Sequence, residues 1–299
     1  MTLRFGIDLG GTKTEIAALS DETGEIVLRR RVATERSYDG VLRCIKGLVD
    51  SAESELGETG TVGVGMPGAI SPATGLVKNA NSVWLNGKPF DKDLCAALGR
   101  PVRVANDADC LALSEATDGA GAGHRVVWAV ILGTGAGSGI VVDGKLVTGP
   151  NAIAGEWGHN PLPYMTPEEA DAHPCYCGRK GCNETMISGS GFCADYAAET
   201  GMKLTGAEIV ERAERSEPAA LKVLERYEDR LARATAAVIN ILDPHVVVLG
   251  GGMSNIARLY DDLPVLWRKY VFSDAVYTKL VKAKYGDSSG VRGAAWLWK

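Results

Sequence analysis

The chain has 299 residues, 45% of them hydrophobic and 23% charged, which is the balance of a globular protein with a large core and excludes a disordered chain. A net charge of -5 gives no general attraction to phosphate backbones or acidic lipid, so nucleic acid and membrane are poor partners and any anion needs a locally built site. No leader-like segment precedes the strand-like Phe5-Gly6-Ile7-Asp8, no stretch reaches the ~18 apolar residues of a spanning helix, and seven scattered cysteines suit a reducing compartment, so a cytoplasmic location is expected.

In chain order, Phe5, Ile7 and Leu9 alternate into a strand, Gly10-Gly11 turns the chain, and Ile16 to Leu19 returns as a second strand. A turn at Asp21 to Gly24 leads to a third strand, Ile26 to Val32, and Leu42, Ile45, Leu48 and Val49 follow at helical spacing. Strand Val62 to Gly65, a loop with Met66-Pro67-Gly68, a helix over Asp91 to Leu98, strand Val102 to Ala105 and a helix after Asn106 complete the first half. Near residue 128 the opening repeats: "WAVILGTGAGSGIVVDGKLV" lays over "FGIDLGGTKTEIAALSDETGEIV" as strand, Leu-Gly turn, strand, turn, strand. After an insertion bearing cysteines and histidines come helices near 192–200 and 206–242. Strand Val246 to Leu249 then runs into Gly250-Gly251-Gly252, followed by a helix from Ser254, a strand and a closing helix at Val291 to Leu297. The duplication predicts an α/β fold of two related lobes flanking a cleft, 1–122 and 123–299, the second carrying a zinc-bearing insertion at 151–190.

Gly10-Gly11-Thr12-Lys13-Thr14 has neither the spacing nor the following helix of a Walker loop; it is a hairpin. Its glycines either allow positive φ in a tight turn or let backbone N–H groups approach a phosphate, with Thr12 and Lys13 assisting. The echo at Gly133-Thr134-Gly135 favours the second: two such bends in duplicated halves can hold a polyphosphate between them. Gly250, Gly251 and Gly252 follow an apolar strand, where ligands sit at strand carboxyl ends. Asp8 is either a surface aspartate on an edge strand or a partner of hydrated Mg²⁺ beside the phosphates. Asp107 is either an N-cap or the base that takes a proton from a substrate hydroxyl as it attacks the γ-phosphorus. Glu156, His159 and Glu184 have the reach and polarity to bind sugar hydroxyls, with Gly68 and the polar run Asn79 to Ser82, including Asn81, approaching from the first half. Trp84 and Trp157 are expected to be core or wall rather than stacking platforms.

In "CYCGRKGCNE", Cys175, Cys177 and Cys182 plus one imidazole suit a structural four-coordinate Zn²⁺, against a redox pair or three idle thiols. His159 and His173 both remain available as the fourth ligand. The other cysteines, Cys44, Cys95, Cys110 and Cys193, lie in helical patterns and are expected to be small core residues, and His124 and His245 are read in the same way.

Taken together, "GIDLGGTKTE", "GMPGAISPATG", "NDAD", "GTGAGSGI", "GEWGHNPL", "CYCGRKGCNE" and "VVLGGGMS" resemble the repressor, open reading frame, kinase (ROK) family over residues 5 to about 298. "VKNANSVWLNGKPFDKDL" and "KYGDSSGVRGAAWLW" resemble most the bacterial fructokinases of that family, some of which take mannose. The resemblance implies the actin-like ATPase (ribonuclease H-like) fold, ATP, Mg²⁺ and a structural Zn²⁺, and a homodimer. It implies Asp107 as base, Asn106, Glu156, His159 and Glu184 as sugar contacts, zinc on His159, Cys175, Cys177 and Cys182, the two hairpins on the ATP phosphates and Gly250 to Gly252 beside the adenosine. Phosphorylation of fructose to fructose 6-phosphate is the expected activity; mannose, glucose or an N-acetylhexosamine is the alternative acceptor, and a non-catalytic sugar-binding regulator a further one. Repressors of the family carry a helix-turn-helix ahead of the first strand, for which the strand at residue 5 leaves no room. The charged insert "NPLPYMTPEEADAHP" departs from the family pattern and bears on sugar choice.

Overall fold

The computed structural model of the protein describes residues 3–171 and 174–299. Its contacts divide the chain into two units, the first formed by residues up to Gly123 with Gly139–Ala154 and Lys284–Lys299, the second by His124–Ser138 and Gly155–Ala283.

The first unit contains β1 (Leu3–Leu9), β2 (Lys13–Ser20), β3 (Ile26–Ala33), α1 (Tyr38–Leu56), β4 (Gly60–Met66), the short β5 (Ala69–Ile70) and β6 (Val77–Lys78), α2 (Phe90–Leu98), β7 (Val102–Asn106) and α3 (Asp107–Thr117). Its sheet runs β3-β2-β1-β4-β7, antiparallel through the two hairpins and parallel from β1 to β7. Alternation sends Phe5, Ile7, Ile16 and Ala18 to one face, against Val41, Ile45 and Val49 of α1 and Phe90 and Leu94 of α2. Ala17 and Leu19 go to the other face, where they meet Leu113 of α3 and Val291, Ala295 and Trp296 from the end of the chain. Ser37 caps α1 by accepting from Gly40 N, and Gly57 at φ 69° ends it.

Then follow β8 (Val126–Leu132), β9 (Ala136–Val142), β10 (Lys145–Leu146), α4 (Pro167–Ala170), α5 (Asn183–Ile187), α6 (Gly189–Thr200), α7 (Gly206–Glu214), α8 (Pro218–Leu242), β11 (Val246–Gly250), α9 (Leu259–Trp267), β12 (Lys279–Lys282) and α10 (Ser289–Trp296); of these, β9 from Gly139, β10 and α10 belong to the first unit. The second sheet runs β10-β9-β8-β11-β12, the order of the first sheet over again. The stretch expected as one helix over 206–242 is two: Ser216 adopts φ 62°, and Pro218, which cannot donate within a helix, opens α8. Past β11 a single 3-10 turn covers Gly252–Asn255, and α9 starts at Leu259 rather than Ser254.

The expected cut at 122/123 differs from the observed division in two segments, each for a packing reason. Gly139 lies so close to α3 that an added Cβ would stand 2.6 Å from Ala108 O, and α10 supplies the first unit's second core face.

Candidate active site

The first glycine bend is built without left-handed backbone, since neither Gly10 nor Gly11 is among the positive-φ residues. Permission for positive φ is therefore not why these glycines are there. Gly10 N donates to Lys13 O at 3.0 Å, closing the turn, while Thr34 pins it from β3's end through Thr34 Oγ1 to Gly10 O (2.8 Å) and Thr34 N to Thr12 O (3.0 Å). Gly11, Thr12 and Lys13 are exposed, and a Cβ on Gly11 would meet only Ser82 Oγ, 3.8 Å away. Bare backbone is thus presented at the bend, as phosphate contact requires.

Asp8 is on the central strand of its sheet, flanked by β2 and β4, so it is not an edge-strand surface residue. Burial first, then Asp107 and Glu15, push its carboxyl up to about 6, with Arg31 opposing. Gly290 at the start of α10 leaves room for it: a Cβ there would stand 3.1 Å from Asp8 Oδ2.

Asn106, not Asp107, is the N-cap of α3. Its Oδ1 accepts from Ala108 N at 2.9 Å, and its Nδ2 donates to Gly68 O at 3.1 Å. Gly68 has φ 79°, and a Cβ on it would lie 2.4 Å from Lys78 O, so the loop after β4 requires glycine there. Asp107 follows as the first helical residue, exposed, with Oδ1 accepting from Ala108 N at 2.8 Å. Asn81 is exposed in the loop before α2, a loop braced by Asn86, which pairs with both the amide and the carbonyl of Ala80 at 2.9 Å.

In the second unit, the bend between β8 and β9 is held by Gly133 N to Gly135 O at 3.0 Å and by Gly189 N, at the start of α6, to Gly133 O at 2.7 Å. Thr134 is exposed at its tip. The third glycine cluster packs onto this bend: Gly251, at φ 78°, comes so near that its Cβ would be 2.6 Å from Leu132 O and 3.0 Å from Gly133 N. Gly250 is buried at the end of β11, and Gly252 is exposed with nothing within 4 Å of its Cβ position. Two glycine clusters distant in sequence therefore form one surface of bare backbone.

Glu184 reaches the same bend, its Oε2 accepting from Ala136 N at 3.0 Å. Gly158 lets the turn with Glu156 and His159 lie on β9, where a Cβ would be 2.1 Å from Ala136 O. Trp157 is buried against Trp128, ring centroids 5.0 Å apart, and so is wall as expected. Glu156 is exposed and His159 half-buried. Asn183, which sequence reasoning passed over, ties the turn to α5 through Nδ2 to Trp157 O (3.0 Å) and its own N to Asn160 O (2.9 Å). The bridge between Pro161 and Cys182 sets His159 beside the last cysteine.

The ligand atoms of His159, Cys175, Cys177 and Cys182 all lie within 4.8 Å of one another. His159 Nδ1 stands 3.5 Å from Cys175 Sγ, and Cys177 Sγ stands 3.6 Å from Cys182 Sγ. Zinc with Zn–S of about 2.3 Å and Zn–N of about 2.0 Å in tetrahedral array spaces its ligand atoms about 3.5 to 3.8 Å apart. The four residues therefore fit a zinc ion whose every position is filled by protein. Gly178 (φ 85°) and Gly181 (φ 74°) form the knuckle, and all three thiols are free of disulfides. Burial raises the thiols of Cys175 and Cys182, whereas hydrogen bonding from Arg179 lowers that of Cys177. His173, the rival ligand, lies outside the described residues.

Tyr176 was also missed by sequence reasoning, although its place between two candidate ligands marks it. Its hydroxyl lies 2.9 Å from His159 Nε2.

Two sheets of the same strand order, each with a glycine bend after its leading strand, define the actin-like ATPase fold. The ROK family model matches residues 4–299, and the chain belongs to the ROK family. It is 43% identical over 298 residues to an N-acetyl-D-glucosamine kinase of Photobacterium profundum, covering 98% of each chain, and 40% identical over 297 residues to one of Vibrio cholerae, again covering 98% of each. Among solved structures it resembles a ROK hexokinase from Thermus thermophilus with a TM-score of 0.86 at 28% identity, covering 99% of this chain and 97% of that one. Among the described residues no helix is long and apolar enough to cross a membrane.

Proposed function

We propose that the protein is an ATP-dependent sugar kinase whose acceptor is N-acetyl-D-glucosamine. The observation that carries this reading is the end-to-end identity of about 40% to relatives bearing that name. It favours the N-acetylhexosamine alternative over fructose. Within the stretches that resemble fructokinases, Val77, Leu85 and Phe90 in the first, and Val291, Ala294 and Ala295 in the second, are buried core positions. Core positions report on packing and not on the sugar.

Asp107 is the proposed base. The Ala108 amide fixes one of its oxygens at the start of α3, while Asn106 carries the cap and holds the Gly68 loop. The carboxylate accepts the proton of a sugar hydroxyl. That oxygen then forms its bond to the γ-phosphorus of ATP, as the bond to the β–γ bridging oxygen breaks and ADP departs. Glu156, Glu184 and Asn81 are proposed to orient the sugar, while His159, with Nδ1 towards Cys175 and Nε2 2.9 Å from the Tyr176 hydroxyl, is proposed to hold that hydroxyl beside them. The backbone bends at Gly10 to Lys13 and Gly133 to Gly135 are proposed to take the phosphates, and Gly250 to Gly252 the adenosine. Asp8, where like charges already crowd, would hold a magnesium ion whose charge offsets that of the phosphates. Zinc on the His159 and cysteine group would fix the turn that carries Glu156 and His159.

A coupled ADP-release assay across N-acetyl-D-glucosamine, N-acetyl-D-mannosamine, glucose, mannose and fructose tests the reading. N-acetyl-D-glucosamine is expected to give the highest kcat/KM; fructose in that position would restore the fructokinase reading, and no turnover on any sugar would remove the kinase.

A further inference from the structure

Tyr176 sits between two of the zinc-fitting cysteines but turns its side chain outward: it is 78% exposed, whereas Cys175 is 5% exposed. Its ring meets that of His159 edge-on, with centroids 5.1 Å apart at 84°, and its hydroxyl lies 2.9 Å from His159 Nε2. The other ring nitrogen, Nδ1, is the one facing Cys175 Sγ, at 3.5 Å. A histidine that ligates through Nδ1 keeps its proton on Nε2. Nε2–H then donates to the Tyr176 oxygen, and the phenolic hydrogen is directed away from His159 towards some acceptor.

Glu156 precedes the turn that contains His159, and Glu184 Cβ lies 3.6 Å from where a Cβ on Gly158 of that turn would stand; both of these proposed sugar contacts are carboxylates that when ionised only accept. They suit hydroxyl hydrogens of a sugar and cannot satisfy an amide carbonyl, which needs a donor. We propose that Tyr176 is a specificity-determining residue: its hydroxyl donates to the carbonyl oxygen of the acetamido group, and its exposed ring packs against the acetyl methyl. The inference rests on the N-acetyl-D-glucosamine reading and deepens it.

Tyr176→Phe keeps the ring and removes the donor. Calorimetric titration without ATP measures sugar affinity apart from turnover, and metal analysis reports the knuckle. The variant is expected to keep the zinc content of the wild type, to bind N-acetyl-D-glucosamine about tenfold more weakly, as one lost hydrogen bond predicts, and to change glucose affinity by less than about threefold. KM for N-acetyl-D-glucosamine should rise with Kd. Equal weakening for both sugars, no weakening for either, or loss of zinc would overturn the proposal while leaving the kinase reading intact. A wild type that binds glucose and not N-acetyl-D-glucosamine would overturn both.

Discussion

Asp107 stands one place beyond the helix cap, so removing its charge leaves Asn106 to do the capping. Asp107→Asn is therefore expected to fold as the wild type does and to bind sugar within about threefold of it, while kcat falls by roughly two to four orders of magnitude, the range of general-base contributions. ADP release and calorimetry on the same preparation check both halves; turnover near that of the wild type would strip Asp107 of the base role. Asp8 allows a prediction with a definite sign. Its folded pKa of about 6, raised by burial first and then by Asp107 and Glu15, lies above the model-peptide value of 3.8. Folding thus carries no penalty from it below pH 4 and a growing one as pH rises through about 6, up to about 3 kcal/mol before solvent screening. Asp8→Asn, which resembles the protonated form, should raise the melting temperature at pH 8, leave it unchanged near pH 4 and reduce nucleotide-dependent turnover. Thermal melts across that range would refute the assignment if the gain were flat with pH.

At the scale of elements, the insertion is fixed at both ends by different chemistry. At one end Thr166 and Glu169 form a reciprocal cap on α4. The Glu169 carboxylate goes on to meet Arg230 and Arg233 of α8, each at 2.8 Å. Burial alone would raise Glu169, but the two guanidiniums outweigh it and hold the carboxyl down to about 2. At the other end, beside the Pro161–Cys182 bridge and the Asn183 ties, is the knuckle, where the Cys177 and Cys182 thiols sit 3.6 Å apart without a disulfide. A metal is expected to add most of the cohesion between these thiols, since a thiol is only a weak donor and a weak acceptor. Cys177→Ala should lower bound zinc below one per chain, lower the melting temperature and weaken sugar affinity, because Tyr176 sits in the knuckle and its hydroxyl meets His159. Wild-type protein purified without stoichiometric metal would refute the zinc assignment outright.

Across the whole molecule, what the sequence disclosed was what is periodic or repeated. The alternation of Phe5, Ile7 and Leu9, the echo of that strand and bend at residue 128, and the crowded cysteines are all local patterns, and each lands where expected. Tertiary proximity was not legible: nothing local shows that Gly251 packs on Gly133, that Tyr176 meets His159, or that α10 leaves the second half of the chain to complete the first unit. That return depends on glycines whose role is to have no side chain. A Cβ on Gly6 of β1 would stand 1.9 Å from Val291 O, one on Gly63 of β4 1.9 Å from Ala294 O, and one on Gly293 of α10 1.7 Å from Cys110 O. In each case backbone meets backbone, which has no rotamer to yield. For Gly293→Ala two effects compete. Helix propensity favours alanine by about 1 kcal/mol, whereas overpacking of a closed core typically costs about 1 to 3 kcal/mol and more when main chain must shift. The clash should win, lowering the denaturation midpoint and loosening the first unit that carries Asp8 and Asp107. Gly47 is the control, an exposed helical glycine of α1 with nothing within 4 Å of its Cβ position. Gly47→Ala should stabilise by about 0.5 to 1 kcal/mol. Urea melts of the two variants that moved in the same direction would show that α10 is not held to β1, β4 and α3 by direct backbone contact.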